Sequence, residues 1–366
     1  MRHPAHAIPF DDLLAGLRSR VDAGLVSERR DGELGLFCYT KSAVYDETWD
    51  EFTSVARGIV LDLEERRIVA APFPKFHNLG EGGRLPPSER FDAFEKLDGS
   101  LIVAFEHRGR WRTTTKGAFE SDQAVAARKL IPFDKLSPGN TYLFEFVGPS
   151  NKIVIRYPKD ECKLLAIYDA DGEELTRDEI EGTELGDVKL AKRLHGITLA
   201  ELVAKAETLP KDEEGWVLLF DDGTRLKLKG SAYRRVHAAI SGLSPLSTWE
   251  AMQAGEDEIV RRELPEEFLE DFDAMRSIIA KKLSEISEAA ERSAESLAGL
   301  SGKEIAERLP SIPEPERSFI FDFVKGKKDS QGTVKRLYRA VRPNGNALPG
   351  YVPSRSFLRF SKEADA

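Results

Sequence analysis

A chain of 366 residues, 41% hydrophobic and 32% charged, has the composition of a soluble globular protein with room for two domains. Its formal net charge of -9 excludes general polyanion binding by the whole surface, so any nucleic-acid contact must come from a local basic patch. Two cysteines, Cys38 and Cys162, and six scattered histidines make neither a disulfide framework nor a thiolate or paired-histidine metal site. No signal-peptide core occurs in residues 1–12, and no apolar run approaches the ~20 residues of a membrane span. These features suit the cytoplasm and no membrane partner.

Residues 11–23 place Leu13, Leu14, Leu17 and Val21 at helical spacing. Residues 34–39 predict a strand, and residues 52–63 a second one entered through Arg57-Gly58. Arg57 reads either as a surface arginine beside a turn or as a phosphate or ribose ligand at a sheet edge. Residues 68–71 predict a partner strand. Residues 72–81 contain two prolines and form a loop that either covers a core edge or delivers Lys75 to a site. A flexible connection over 80–87 leads into residues 91–103, the stretch around which the chain is organised. Apolar and β-branched residues flank Asp98-Gly99 there, a strong hairpin-turn signal that places Lys96 at a strand end. Alone, Lys96 reads as a solvated hairpin lysine; the rest of the chain reverses that preference.

Residues 111–115 predict a strand ending at Lys116-Gly117, and residues 120–130 a helix. Residues 141–147 predict an apolar strand with one acid, Glu145, in its middle. An unpaired buried carboxylate is costly, so Glu145 should meet a ligand, a cation or water; a structural ion pair is the alternative. Residues 153–157 and 163–168 continue the β pattern, and residues 176–209 read as a charged, mostly helical excursion. Residues 215–229 predict a hairpin turning near Asp222-Gly223, and period two puts Arg225, Lys227 and Lys229 on one face. That face is either solvent or a polyphosphate site, with Glu214 at the hairpin's opening.

Composition shifts after about residue 242. Residues 265–300 carry Phe268, Leu269, Phe272, Met275, Ile278, Ile279, Leu283 and Ile286 at helical spacing, a bundle helix with a core stripe. From Arg317 onward, Lys325, Lys327, Lys328, Lys335, Arg336, Arg339, Arg342, Arg355 and Arg359 interleave with Phe319, Phe321, Phe323, Tyr338, Tyr351, Phe357 and Phe360. Two readings stay open for this tail: contacts to single-stranded RNA, or a small domain with aromatic core and solvated bases.

The charged residues on strands form an ordered set: Lys96, Glu145, Glu214, Lys227 and Lys229, with Arg57, Lys75 and Lys116 as company. The runs Lys96-Leu97-Asp98-Gly99-Ser100, Phe144-Glu145-Phe146-Val147, Glu214-Gly215-Trp216-Val217 and Lys227-Leu228-Lys229 resemble the motifs of the covalent nucleotidyltransferases. Ala56-Arg57-Gly58-Ile59, Lys75-Phe76-His77-Asn78-Leu79, Lys116-Gly117 and the extension through Gly148-Pro149-Ser150-Asn151 are similar to the phage-type RNA ligase 1 family. The resemblance runs from Arg57 to Tyr233 and does not extend past about residue 243.

That resemblance implies an α+β fold: an antiparallel-sheet adenylyltransferase domain over 1–243, then a smaller, largely helical RNA-binding domain over 244–366. It implies an ATP-dependent RNA ligase that joins 5′-phosphate and 3′-hydroxyl RNA ends through lysyl-AMP on Lys96, with Mg²⁺ or Mn²⁺. A cleaved tRNA is the suggested substrate and an end-healing kinase/phosphatase the suggested partner. Glu145 would hold the ribose, the backbone at Leu97 would read the base, and Tyr168 would stack on adenine unless it is core. Glu214 would place the metal; Arg57, Lys75, Lys116, Lys227 and Lys229 would meet phosphates. A free lysine, with its pKa of about 10.4, is a poor nucleophile, and crowding by Lys227, Lys229 and the metal would depress it. The rival readings are a DNA ligase, a capping guanylyltransferase, or an RNA-binding protein with a decayed site.

Overall fold

The computed structural model describes residues 1–354 apart from 184, 187, 265 and 346. The chain divides into a unit spanning Met1–Arg234 and a second beginning at Arg235. The composition shift used to place a boundary at 243/244 starts only after the helix Ser231–Ser241, which itself carries the chain from one unit to the next.

In the first unit, β1 (Val26–Asp31), β2 (Leu34–Tyr39), β3 (Arg57–Asp62) and β4 (Arg67–Ala70) form an antiparallel meander. The first amphipathic helix, Phe10–Asp22, buries Leu13 and Leu17 against Val26, Phe37, Ile59 and Leu61 on one face of it. Next in the chain come β5 (His77–Asn78), β6 (Phe91–Glu95), β7 (Ser100–His107), β8 (Arg110–Thr115), β9 (Thr141–Val147) and β10 (Glu161–Tyr168). The last four make a second antiparallel sheet in the order β10-β9-β7-β8. Leu34, Leu36 and Val60 of the first sheet pack with Val103, Phe105 and Leu143 of the second, a sheet-on-sheet core. The excursion after β10 is less helical than its charge pattern suggests. Between the helices Arg177–Glu181 and Leu199–Thr208, β11 (Arg193–Leu194) pairs with β6. Arg193 reaches Asp92 at 2.6 Å and the Lys192 amide donates to Glu95 at 3.0 Å, which ties the segment to that edge. With β12 (Gly215–Phe220) and β13 (Arg225–Lys229) the third sheet has the order β11-β6-β12-β13-β5.

Residues 91–103 do not form the expected hairpin. β6 pairs with β11 and β12 in the third sheet, whereas β7 pairs with β8 and β9 in the second. Lys96 to Gly99 are the corner where the chain passes between sheets. The Asp98 carboxylate is buried and accepts the amides of Val154 and Ile155 at 2.8 and 2.7 Å, plus the Tyr233 hydroxyl at 2.8 Å. Those bonds also explain why residues 153–157 are not a strand: their amides serve a side chain in place of a ladder. Gly99 is needed for close approach, since a Cβ there would sit 2.2 Å from the Phe146 carbonyl oxygen.

The second unit is helical, as expected. Its longest helix, Glu266–Glu295, carries the predicted stripe, with Phe272, Met275 and Ile279 fully buried. Two of the tail aromatics, Phe319 and Phe323, belong to this core, and Tyr338 and Tyr351 are half-buried. Phe319, Phe323 and Leu337 pack on Ala290 and Ala294, Tyr338 donates to Met252 O at 3.1 Å, and Tyr351 to Asp271 at 2.6 Å. Phe321 is exposed, with Lys325 beside its ring. Arg355, Phe357, Arg359 and Phe360 lie outside the described residues. Among the described residues no helix is long and apolar enough to cross a membrane.

Gly99→Ala should destabilise the first unit by about 1–3 kcal/mol, because the corner cannot admit a methyl group without backbone movement. Urea unfolding followed by the fluorescence of that unit's tryptophans checks this, and an unchanged midpoint would contradict the close contact.

Candidate active site

The corner brings the strand-borne charges together. Lys96 sits one residue past β6 and is held to the neighbouring strand by its amide, which donates to the Gly215 carbonyl at 2.8 Å. Glu214 immediately precedes that strand, and its own carbonyl accepts the Gly230 amide at 2.9 Å. Its side chain is 2% exposed and meets two lysines, Lys96 Nζ at 2.8 Å from Oε2 and Lys229 Nζ at 2.9 Å from Oε1. Burial alone would push this carboxyl up, but the two ammonium groups outweigh burial and hold it below the usual carboxylate range. Glu145, in mid-strand on β9, accepts the Gly99 amide at 3.2 Å. Burial lifts its pKa to about 7 against the pull of Lys96.

One expectation about Lys96 is overturned. In the free protein, carboxylates outweigh the cations near its amine, Lys227 among them. Burial lowers its pKa, but Glu214, Glu145 and Asp98 more than offset this, so the free protein holds Lys96 as an ammonium with a raised pKa. The depressed amine belongs to Lys227. Burial, then Lys75, Lys96, Arg57 and Lys229, pull it down to about 7. Lys227 Nζ lies 5.1 Å from the centre of the Phe76 ring, and Arg57 is over the same ring at 5.5 Å. Lys75 and Lys116 complete the cationic group. The Lys75 amide donates to Ser54 O at 2.7 Å, and Gly58 backs onto the Lys116 main chain. Thus Arg57, Lys75, Lys96, Lys227 and Lys229 converge, as the sequence order suggested, and Lys116 adjoins Arg57.

Three expected roles fare differently. Tyr168 is 3% exposed and packs in the core between the first two sheets, edge-on to His3 and Phe73, with its hydroxyl on Glu174 at 3.1 Å. Its partner on β9 is Thr141, at the opposite end from Glu145, so it cannot stack on a ligand held there. The Leu97 side chain is buried with Val147 and Ala191, and its carbonyl accepts Lys96 Nζ at 3.4 Å. Arg225 leaves the other two cations of its strand and pairs with Glu174 over the Phe73 ring.

Sequence reasoning missed the residues that hold the corner. Tyr157 accepts the Asp98 amide at 3.1 Å, Tyr233 donates to the Asp98 carboxylate, and Asn151 bonds Phe146 O at 2.7 Å and Ser100 at 3.1 Å. Asn151 closes one of the resembling runs and Tyr233 ends the resemblance, but no periodicity names a partner 51 or 135 positions away. Elsewhere Glu33, Asp62 and His107 gather within metal-ligand reach of one another. Arg108 lies 2.9 Å from Glu33 and His107 2.8 Å from Asp62, so these acids are already paired.

The neutral Lys227 amine sets a pH signature. At pH 8 it is mostly deprotonated in the free protein, and an entering polyphosphate raises its pKa, so binding takes up a proton. Affinity for pyrophosphate should therefore weaken as pH rises above about 7. Calorimetry in buffers of different ionisation enthalpy should show an uptake that drops by up to about one proton in Lys227→Met. An uptake unchanged in that variant would exclude Lys227 as its source.

No family model matches the chain. In sequence it is 27% identical over 213 residues to the "Putative bifunctional polynucleotide kinase/RNA ligase" of Autographa californica nuclear polyhedrosis virus, covering 50% of this chain and 30% of that protein. It is 30% identical over 211 residues to the "Putative RNA ligase" of Thermovibrio ammonificans, covering 51% of this chain and 54% of that protein. The chain thus spans about half or less of the length of these relatives. Among solved structures, a Naegleria gruberi RNA ligase mutant with ATP and Mn aligns at 20% identity and TM-score 0.33, over 40% of this chain and 50% of that one. An archaeal ATP-dependent RNA ligase aligns at 16% identity and TM-score 0.47, over 74% and 78% of the two chains. Over about half its length, then, this chain is similar in sequence to proteins named as RNA ligases.

Proposed function

We propose that the chain is an ATP-dependent RNA ligase that joins a 5′-phosphate to a 3′-hydroxyl through AMP carried on Lys96. The observation that carries this is a half-buried lysine, paired with the buried Glu214 at 2.8 Å, beside a cluster of cations in a protein of net charge -9. A nucleophile on one side and a polyanion seat on the other suit attack on a triphosphate.

In this reading Lys227, Lys229, Arg57, Lys75 and Lys116 hold the ATP phosphates and Glu145 orients the ribose. The Lys96 amine, once it has lost its proton, attacks the α-phosphorus and pyrophosphate leaves. AMP then passes to the RNA 5′-phosphate, freeing the lysine, and a 3′-hydroxyl displaces AMP to close the strand. Glu214 Oε2 suits a hard cation such as Mg²⁺ or Mn²⁺: it is a buried carboxylate oxygen whose one close partner is the Lys96 ammonium at 2.8 Å. When bound there, such a cation would supply the positive charge that withdraws the carboxylate from Lys96 and favours the neutral amine. The first unit would perform adenylyl transfer, and the second would engage the RNA. A cleaved tRNA and a separate end-healing kinase/phosphatase are the substrate and partner that the family resemblance suggests, and a cytoplasmic setting fits both.

Incubation with α-phosphate-labelled ATP and magnesium, followed by a chase with 5′-phosphorylated RNA, tests the whole sequence. Label should appear on the protein, move to RNA and be released on sealing; Lys96→Ala should lower protein labelling by about 10³-fold or more. Label that persists in Lys96→Ala rejects it as nucleophile. Labelling by GTP alone points to capping, and sealing of nicked DNA but not RNA to a DNA ligase.

A further inference from the structure

Two lysines of the phosphate group rest on aromatic rings. Lys75 Nζ is 4.7 Å from the centre of the Trp49 ring and Lys116 Nζ 5.2 Å from that of Tyr39. The rings meet edge to face at 5.1 Å, and His77 adds its edge to Trp49 at 5.8 Å. Trp49 and Tyr39 are both partly exposed. Among the described residues neither lysine forms an ion pair, although the chain carries 63 acids. Trp49 is presented by a compact turn in which the Thr48 amide bonds Ala43 O at 3.0 Å, and the same turn carries Tyr45, 89% exposed. The turn ends at Asp50, whose carboxylate caps the helix Glu51–Val55 through the amides of Phe52 and Thr53 at 2.9 and 2.8 Å. Trp49 therefore stands on a braced turn, and Tyr39 ends β2 with its amide on Ala56 O at 2.6 Å, next to Arg57.

Tyrosine and tryptophan combine a large apolar ring with a polar tip, and here both rings are partly open beneath lysines that make no ion pair among the described residues. Aromatic faces interleaved with cations match the chemistry of unpaired nucleic-acid bases and their phosphates. A double helix offers no free base faces, so the match is to a single strand. We propose that Trp49 and Tyr39, with Tyr45 at the rim, form a stacking shelf for the unpaired bases of the RNA strand whose end reaches the cation cluster. Lys75 and Lys116 cover the rings in the free protein and are drawn off when phosphate arrives, which opens the ring faces to the bases. Nucleotide and RNA binding are then ordered by one pair of side chains. This inference rests on the ligase reading for the identity of the strand, but its core, binding of single-stranded RNA by these rings, is measured without any sealing.

The test uses the full chain and a short single-stranded RNA carrying a fluorophore. Trp49→Ala should weaken RNA affinity about tenfold, the scale of one lost base–aromatic stack, while Trp49→Phe restores most of it. Lysyl-AMP formation, measured on the same samples, should fall much less. Inorganic pyrophosphate added to the free protein should change the emission of the wild type and not of Trp49→Phe, reporting Lys75 leaving the ring. RNA affinity unchanged in Trp49→Ala overturns the proposal. So does a loss of lysyl-AMP in step with RNA affinity, which would make Trp49 only a seat for Lys75. A silent emission on pyrophosphate binding overturns the uncovering step. Failure of the wild type to form lysyl-AMP would sink the ligase reading instead and leave the RNA-binding result to stand by itself.

Discussion

A carboxylate with 2% of its side chain exposed, between two ammonium groups, is the constraint around which the first unit is arranged. Stripping water from Glu214 costs several kcal/mol, and only good geometry to both lysines offsets that. The geometry comes from the backbone. Lys96 and Lys229 flank the strand that Glu214 opens, and hydrogen bonds from Lys96 N to Gly215 O and from Gly230 N to Glu214 O fix both neighbours. Specificity of position, more than stability, is what such a buried triad supplies.

In the proposed ligase, the same arrangement would keep the free protein inert. An ammonium cannot attack phosphorus, and the carboxylates around Lys96 favour the ammonium. In that reading, reactivity would wait for charge brought by ATP and its cation. Lys227 behaves in the opposite way: half-buried among cations, it has a pKa lowered to about 7, and an entering anion would raise it. Two lysines separated by 131 positions in sequence thus differ in protonation because one faces carboxylates and the other faces cations.

The corner at Asp98 joins these effects to the fold. By accepting two amides and a tyrosine hydroxyl, Asp98 lets the chain leave one sheet and enter another within four residues, with Gly99 pressed against a carbonyl. An Asp-Gly pair usually announces a solvent-facing turn. Here the same two residues serve a buried crossing, the aspartate for its acceptor oxygens and the glycine for its missing Cβ.

Much was legible in the residues alone. Alternation and helical spacing located most strands, the helix Phe10–Asp22 and the long helix Glu266–Glu295, because period two and period 3.6 are local consequences of one-sided burial. The ordered charges Lys96, Glu145, Glu214, Lys227 and Lys229 were recognisable as a set because their order and spacing resemble nucleotidyltransferase motifs; only Glu145 stood out by the cost of a charge inside an apolar strand. Only the tertiary structure decided that residues 91–103 cross between sheets, that Tyr168 is core, that Phe319 and Phe323 of the tail are buried, and which lysine carries the depressed pKa. Each depends on partners tens to more than a hundred positions away, and a local pattern reports that a side chain is buried without saying what it is buried against.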